Sequence, residues 1–185
     1  MKIVNLTKRY RDTVALENIN LEFETGKVTA ILGESGSGKT TLLNAIAGLT
    51  DYEGTIEDAG IISYLFQSSR LLPHLSVERN LRFVLKKEQW GGIGEMLARV
   101  GLKGKEKRYP HELSGGEERR VAIARALLFP HDTLLLDEPF SSLDLSSSAS
   151  CWRLSPSFVW SVKRRSFSSR TIQGRRRSLP PAPSF

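Results

Sequence analysis

The chain of 185 residues contains a single cysteine, Cys151. No internal disulfide can form, and no Cys or His residues stand in pairs at zinc-ligand spacing, which excludes a disulfide scaffold and a structural zinc site. A reducing compartment suits such a chain. Of its three histidines, His74, His111 and His131, none has a second ligand at metal spacing, and the first two read as loop residues. No apolar run approaches the roughly 18 to 20 residues that span a bilayer. The start Met1-Lys2-Ile3-Val4-Asn5 leads into polar residues rather than a signal-peptide core, so the expectation is a soluble, cytosolic protein, free to sit on a membrane protein. Acids are also missing from everything after Asp144.

That last absence explains the charge. The whole chain has 27 Lys+Arg against 20 Asp+Glu, a net +7 that by itself points to nucleic acid or an anionic membrane surface. Residues 1–144, however, hold 19 of the basic residues and all 20 acids, a net charge of −1. The other eight are Arg153, Lys163, Arg164, Arg165, Arg170, Arg175, Arg176 and Arg177. The basicity therefore belongs to the last 41 residues, while the body, in a chain 39% hydrophobic, has the composition of one packed domain.

Within the body, Val14, Leu16, Ile19, Leu21 and Phe23 are separated by polar residues and interrupted at Asn18-Ile19-Asn20, which predicts antiparallel β structure with a turn at Thr25-Gly26-Lys27. Residues 28–32 form a short apolar run ending in glycine, the pattern of a strand buried on both faces of a parallel sheet. Helical spacing of Leu42, Leu43 and Ile46 follows, with a stop at Gly48. Residues 61–66 predict a second strand, 77–87 and 93–100 amphipathic helices, 117–129 a further helix, and 133–136 a third buried strand. No repeat is visible. The alternation predicts an α/β fold with a mainly parallel core sheet, an N-terminal antiparallel β subdomain, and a small helical subdomain at about 68–113.

Gly33-Glu34-Ser35-Gly36-Ser37-Gly38-Lys39-Thr40 matches the phosphate-loop pattern G-x-x-x-x-G-K-[ST], and it lies between a predicted strand and a predicted helix. Glycines let backbone N–H groups converge on phosphate oxygens at a helix N-terminus, Lys39 reaches the β- and γ-phosphates, and the Thr40 hydroxyl ligates Mg²⁺. A flexible Gly/Ser turn is the bland alternative, and it does not account for the flanking strand and helix. About 100 residues on, Leu134-Leu135-Leu136-Asp137-Glu138 ends a buried strand in two acids. Asp137 is placed for the Mg²⁺ shell and Glu138 to polarise a water for attack on the γ-phosphate. Taken alone the pair is equally a solvated turn.

Leu113-Ser114-Gly115-Gly116-Glu117, joined to these motifs, resembles the signature of ABC-type ATPases, the motor subunits of transporters. Other marks fall in order: Tyr10 where an aromatic stacks on adenine, Gln67 in the Q-loop, and Ser141-Ser142-Leu143-Asp144 as the D-loop. The resemblance covers residues 1 to about 145 and implies a phosphate-loop ATPase with ATP and Mg²⁺ as its ligands. It implies ATP-binding residues Tyr10, Gly33, Glu34, Ser35, Gly36, Ser37, Gly38, Lys39, Thr40 and Thr41, metal contacts at Thr40, Gln67 and Asp137, and catalysis by Glu138, Lys39 and Gln67. It also implies a head-to-tail dimer in which Ser114, Gly115, Gly116 and Glu117 of one copy close on the ATP of the other, with Ser142 and Asp144 in the D-loop.

The segment from Tyr64 through Gln67, Pro73 and His74 to Val77 is similar to the post-Q-loop stretch of bacterial importers of the nitrate, sulfonate and taurine group, and only 28 positions separate Lys39 from Gln67. The resemblance so implies a membrane permease and a solute-binding protein as partners, no nucleic acid, and a cytoplasmic, peripheral location on the inner face of the cell membrane. A surface loop without import specificity is the competing reading of this segment. Tyr10 by itself is equally a plain strand aromatic, residues 103–108 read as a solvated surface, and Arg119-Arg120 as facing solvent or phosphate-side water.

After Asp144 the family continues with a helix and a strand that ends in a switch histidine, and neither that order nor a histidine is present here. Residues 145–185 are Ser/Arg/Pro-rich instead, with twelve serines, a composition that does not build a core. Phe158-Val159-Trp160-Ser161-Val162 is one run able to form a short strand. Without that strand, the phosphate-loop strand and the Asp137 strand would face an empty slot, each unpaired buried backbone group costing about 1–3 kcal/mol against a domain stability of about 5–15 kcal/mol. The expectation is a core incomplete after residue 145, and a tail at 146–185 that is disordered or translated out of frame. Three functions follow: an importer ATPase, a truncated nucleotide-binding module with little turnover, or a nucleic-acid or membrane binder through a tail that places Trp152, Phe158, Trp160 and Phe167 among its charges. The coding DNA read in all frames is expected to yield, just after Asp144, an alternative frame encoding a helix and a strand ending in Thr-His; a clean frame without one overturns the frameshift.

Overall fold

The computed structural model describes residues 1–139 and the backbone of residues 158–163. Two sheets and a helical layer make up the described chain. In the first sheet, β1 (Lys2–Tyr10) pairs antiparallel with β2 (Thr13–Glu22) on one side and β4 (Glu53–Glu57) on the other. Simple alternation along β1 would put Ile3 and Leu6 on opposite faces, yet both are buried. The register shifts between them, and Asn5 there takes φ 51°, the backbone of a bulge that resets which face points inward. Asn18 on β2 has φ 47° and donates its N–H to Thr7 Oγ1 at 3.0 Å, while Asn20 Oδ1 accepts the Asn5 N–H at 2.9 Å. The interruption at Asn18-Ile19-Asn20 is thus a matched irregularity across the hairpin.

The second sheet is parallel, in the order β3 (Val28–Gly33), β7 (Phe158–Lys163), β6 (Thr133–Asp137), β5 (Ile62–Leu65). β6 is buried at every residue, as an apolar run bounded by turns predicts. Leu134, Leu135 and Leu136 are at most 1% exposed, and burying each contributes about 1.5–3 kcal/mol. β3 departs from its expected double burial, since Val28 and Leu32 are more than half exposed.

The empty slot expected between the phosphate-loop strand and the Asp137 strand does not occur. β7 lies there, pairing Ala30 with Trp160 on one side and Leu136 with Trp160 on the other. Residues 140–157 and the tail after 163, with the disorder or frame change expected of them, lie outside the described residues.

Between the sheets sits α1 (Lys39–Ile46), whose Leu42, Leu43, Ala45 and Ile46 pack with Ile3, Leu6, Leu16, Phe23 and Leu135. A second core forms where α2 (Val77–Arg82) and α3 (Ile93–Arg99) meet α4 (Gly115–Leu128). The helix expected over 77–87 ends at Arg82: Ser76 caps its start by accepting the Arg79 N–H, and a separate 3₁₀ segment (Lys87–Gly92) begins after a turn. α4 starts two residues before the expected 117, because Ser114 is its N-cap. It buries two faces, Val121 and Ala124 toward α2 and α3, and Ala122, Ile123 and Ala126 toward β5 and β6. Among the described residues, no helix is long and apolar enough to cross a membrane.

Ending the chain at residue 157 removes β7 and leaves the facing edges of β3 and β6 unpaired. The truncated chain is expected to lose its cooperative urea transition, whereas a chain ending at 163 keeps it; equal midpoints for the two would remove β7 from the sheet.

Candidate functional site

The C-terminal ends of β3, β5 and β6 point to one edge of the parallel sheet, the usual place for a ligand in open α/β folds. Gly33 closes β3, and the loop 34–38 leads into α1 at Lys39. Gly38 has φ 86°, and a Cβ on it would lie 2.6 Å from the Ala15 carbonyl oxygen, so no other residue fits where the loop crosses the hairpin. Gly36 has φ 81°, again a left-handed turn. The Lys39 ammonium is folded inside the loop, donating to Gly33 O at 2.9 Å, Glu34 O at 2.6 Å and Ser37 Oγ at 3.3 Å. Glu34, Ser35, Gly36 and Ser37 are exposed around it, and Thr41 follows half-buried on α1.

From the next position the Thr40 hydroxyl donates to Asp137 Oδ2 at 2.8 Å, bridging 97 residues of sequence. Asp137 is 3% exposed at the end of β6. Its neighbour Glu138 turns out of the strand with φ 46°, a conformation costly for a side chain other than glycine and typical of functional sites. Gln67, just beyond β5, donates its Nε2 to Glu138 Oε2 at 3.1 Å. Lys39, Thr40, Gln67, Asp137 and Glu138, dispersed along the sequence, are thus brought to one edge. Thr40, Gln67 and Asp137 offer only oxygen or amide donors, and among the described residues no group of three or more His, Cys, Asp or Glu could hold a metal. That donor set fits Mg²⁺, which keeps several waters and takes one or two protein ligands plus phosphate oxygens.

Two of the predicted groups sit apart from this edge. Tyr10 is half-exposed at the end of β1, on the same hairpin that touches Gly38, and its ring lies 4.7 Å from Lys8 Nζ. Ser114, Gly115, Gly116 and Glu117 form the N-terminus of α4, where Ser114 Oγ accepts the Glu117 N–H and Glu117 Oε2 accepts the Ser114 N–H at 3.0 Å, a reciprocal capping box. A Cβ on Gly115 would meet nothing within 4 Å, so the chain's own packing does not demand glycine there. What its absence leaves is an exposed Gly115 with open space beside the helix start. Lys105 pairs with Glu117 Oε1. The Lys105 hydrogen bond, followed by the Ser114 N–H, lowers the Glu117 carboxyl from 4.5 to about 2. Ser142 and Asp144, the D-loop residues, lie outside the described residues.

Arg119, expected to face solvent or phosphate-side water, is instead 2% exposed. Its Nη1 donates to the carbonyls of Phe66 and of Gln67, the latter at 3.1 Å, and its Nη2 to those of Asp137 and Glu138 at 3.3 Å each. Burial lowers its pKa, with Asp137 opposing. The signal was present: Arg119, Ala122, Ile123 and Ala126 stand at i, i+3, i+4 and i+7, one helical face, and that face meets the sheet.

A strand, a glycine loop whose lysine is turned inward, and a threonine bonded to an acid at a parallel strand end define a phosphate-loop nucleotide-binding protein of the α/β class. The chain belongs to the ABC transporter family, whose model matches residues 16–141. It is 45% identical over 151 residues to the aliphatic sulfonates import ATP-binding protein SsuB 1 of Rhodococcus jostii, a match covering 78% of this chain and 61% of that protein. Over 160 residues it is 42% identical to the sulfate/thiosulfate import ATP-binding protein CysA of Mycobacterium tuberculosis, covering 77% of this chain and 46% of that one. The chain thus spans about half to three-fifths of the length of these relatives. Its fold resembles a dimeric ATP-binding cassette in a post-hydrolysis state bound to ADP and Pi, at TM-score 0.75, 29% identity and 87% coverage of each chain. A second dimeric structure of the same bacterial ABC transporter cassette gives TM-score 0.74 at 30% identity, with 88% of each chain covered.

Because the Glu117 carboxyl is lowered in the folded chain, its contribution to stability is present above pH 4.5 and is lost as pH falls toward about 2. Thermal melts of the parent and Glu117→Gln are therefore expected to differ at pH 6 and to converge toward pH 2. A difference independent of pH would remove the Lys105–Glu117 pair as its cause.

Proposed function

We propose that the chain binds Mg·ATP and hydrolyses it as the motor subunit of an ABC importer. The observation that carries this reading is the Thr40–Asp137 bond at 2.8 Å beside the Gln67–Glu138 bond at 3.1 Å, both next to the glycine loop. In this reading the loop's N–H groups and the N-terminus of α1 take the phosphates, and the Lys39 ammonium exchanges its loop carbonyls for β- and γ-phosphate oxygens. Thr40, Asp137 and Gln67 would hold Mg²⁺, which would neutralise charge on the phosphates. Glu138, released from Gln67, accepts a proton from the attacking water, and Tyr10 stacks on the adenine.

The helix start at Ser114, Gly115 and Gly116, with open space beside Gly115, supports a second copy as partner, since an anion site without its own phosphate loop is completed by another subunit's nucleotide. The one cassette described above is dimeric in both of its structures. The likeness to import ATP-binding proteins supports a membrane permease as a further partner, and with it we place a solute-binding protein and a cytoplasmic position on the inner face of the cell membrane in the same proposal. Their names also favour sulfonate-like or sulfate-like oxyanions as cargo, which the partner subunits would select.

One observation favours a second reading, a nucleotide-binding module with little turnover. β7 ends at Lys163 and is followed by Arg164, where the family's switch histidine would stand. An ATPase assay separates the two. In the motor reading, Glu138→Gln lowers turnover by about 10²–10⁴-fold, the range of a lost general base, while ATP binding persists. Vanishing parent turnover that Glu138→Gln does not change supports the binding module.

A further inference from the structure

A guanidinium buried to 2% exposure and bonded to backbone carbonyls needs an explanation. Arg119 gives up hydration and obtains four backbone carbonyls, from two segments about 70 residues apart. These carbonyls belong to Phe66 and Gln67 on one side and to Asp137 and Glu138 on the other. They are the peptide groups immediately behind the Gln67–Glu138 side-chain bond. Arg119 Nε has no partner among the described residues, so the planar fork is oriented for those two segments rather than for the most bonds it could make.

The backbone it grips is also the strained one. Glu138 sits at φ 46°, a left-handed conformation that a glutamate does not choose unaided. Donation from Nη2 to the carbonyls on both sides of that residue's N–H braces the turn that aims the carboxylate. Donation from Nη1 fixes the backbone that aims Gln67. The guanidinium is mounted on α4, four residues after Gly115, so the helix that presents the exposed Gly115 also carries the brace.

We propose that Arg119 is a positioning residue for hydrolysis, holding Gln67 and Glu138 in register and tying that register to the N-terminus of α4. The proposal rests on the motor reading for its kinetic consequence only. Arg119 touches no reacting atom. It acts through two peptide segments, and a displacement of one relative to the other moves the attacking water away from its base.

The test compares the parent with Arg119→Met, which keeps an unbranched apolar stem but has no guanidinium and no donors, and Arg119→Lys, which keeps the charge but reaches fewer carbonyls. Thermal melts establish that each folds. In Arg119→Met, kcat is expected to fall roughly 10- to 100-fold, the scale of an ångström's misplacement, with KM for ATP within about twofold. Arg119→Lys recovers part of the loss. Combined with Glu138→Gln, Arg119→Met costs less than it does alone, because one of the two groups it aims is gone. Hydrogen exchange on the nucleotide-free chain gives a readout that needs no turnover: in Arg119→Met, or in Arg119→Lys if the methionine variant does not fold, amides at 66–68 and 137–139 exchange faster while those of α1 do not. Parent-like kcat in Arg119→Met, a loss additive with Glu138→Gln, or exchange raised uniformly across the chain each overturns the proposal. A parent without turnover fails the motor reading alone and leaves the exchange result to decide this one.

Discussion

Every other feature of the site depends on the closure of one parallel ladder. β3 carries the glycine loop and β6 carries Asp137, but the two strands are not neighbours; β7 lies between them. One strand adds about 4.8 Å, so β3 and β6 stand two spacings apart, and the loop 34–38 that leaves β3 brings the start of α1 to the end of β6. Thr40 at its first turn then meets Asp137 at 2.8 Å. Loss of the middle strand would break a run of backbone hydrogen bonds and also remove the spacing that makes this contact.

α4 is the second organising element. Its start is held by a capping box and Lys105, its middle is clamped by Arg119 to the ends of β5 and β6, and its two faces serve two cores. A helix that is apolar on opposite sides cannot rotate without unpacking one of them. Displacement of its N-terminus is therefore transmitted to the Gln67 and Glu138 backbones through a short, fully bonded path, rather than being absorbed in a loop.

Most of the candidate site was legible because the pattern it rests on places residues close together in sequence. A phosphate loop needs glycines at fixed offsets before a lysine and a hydroxyl, so Gly33 to Thr40 carry their meaning in their order. Asp137-Glu138 was readable only together with that loop, since an acidic pair at a strand end has many uses. Arg119 was misread because a charged residue beside another charged residue looks like surface, although its spacing from Ala122, Ile123 and Ala126 set it on the sheet-facing side. The bulge at Asn5 was equally hidden: alternation assigns faces only while the register holds, and a left-handed residue resets it.

The order of residues alone determined the parallel-sheet strands β3, β5 and β6, the helices α1 and α4, the phosphate-loop pattern and the family, because each depends on local spacing and on side-chain types. It also located the charge boundary at Asp144. Whether the sheet had a gap there could not be decided locally. Phe158 to Lys163 is an unremarkable apolar run, and its role arises only when β3 and β6 present two complementary edges on either side of it. Backbone pairing is indifferent to side-chain identity, so a segment inside foreign-looking text can still complete a ladder. The same holds for Arg119, whose four acceptors are peptide carbonyls that any sequence would supply and only the tertiary fold brings to one point.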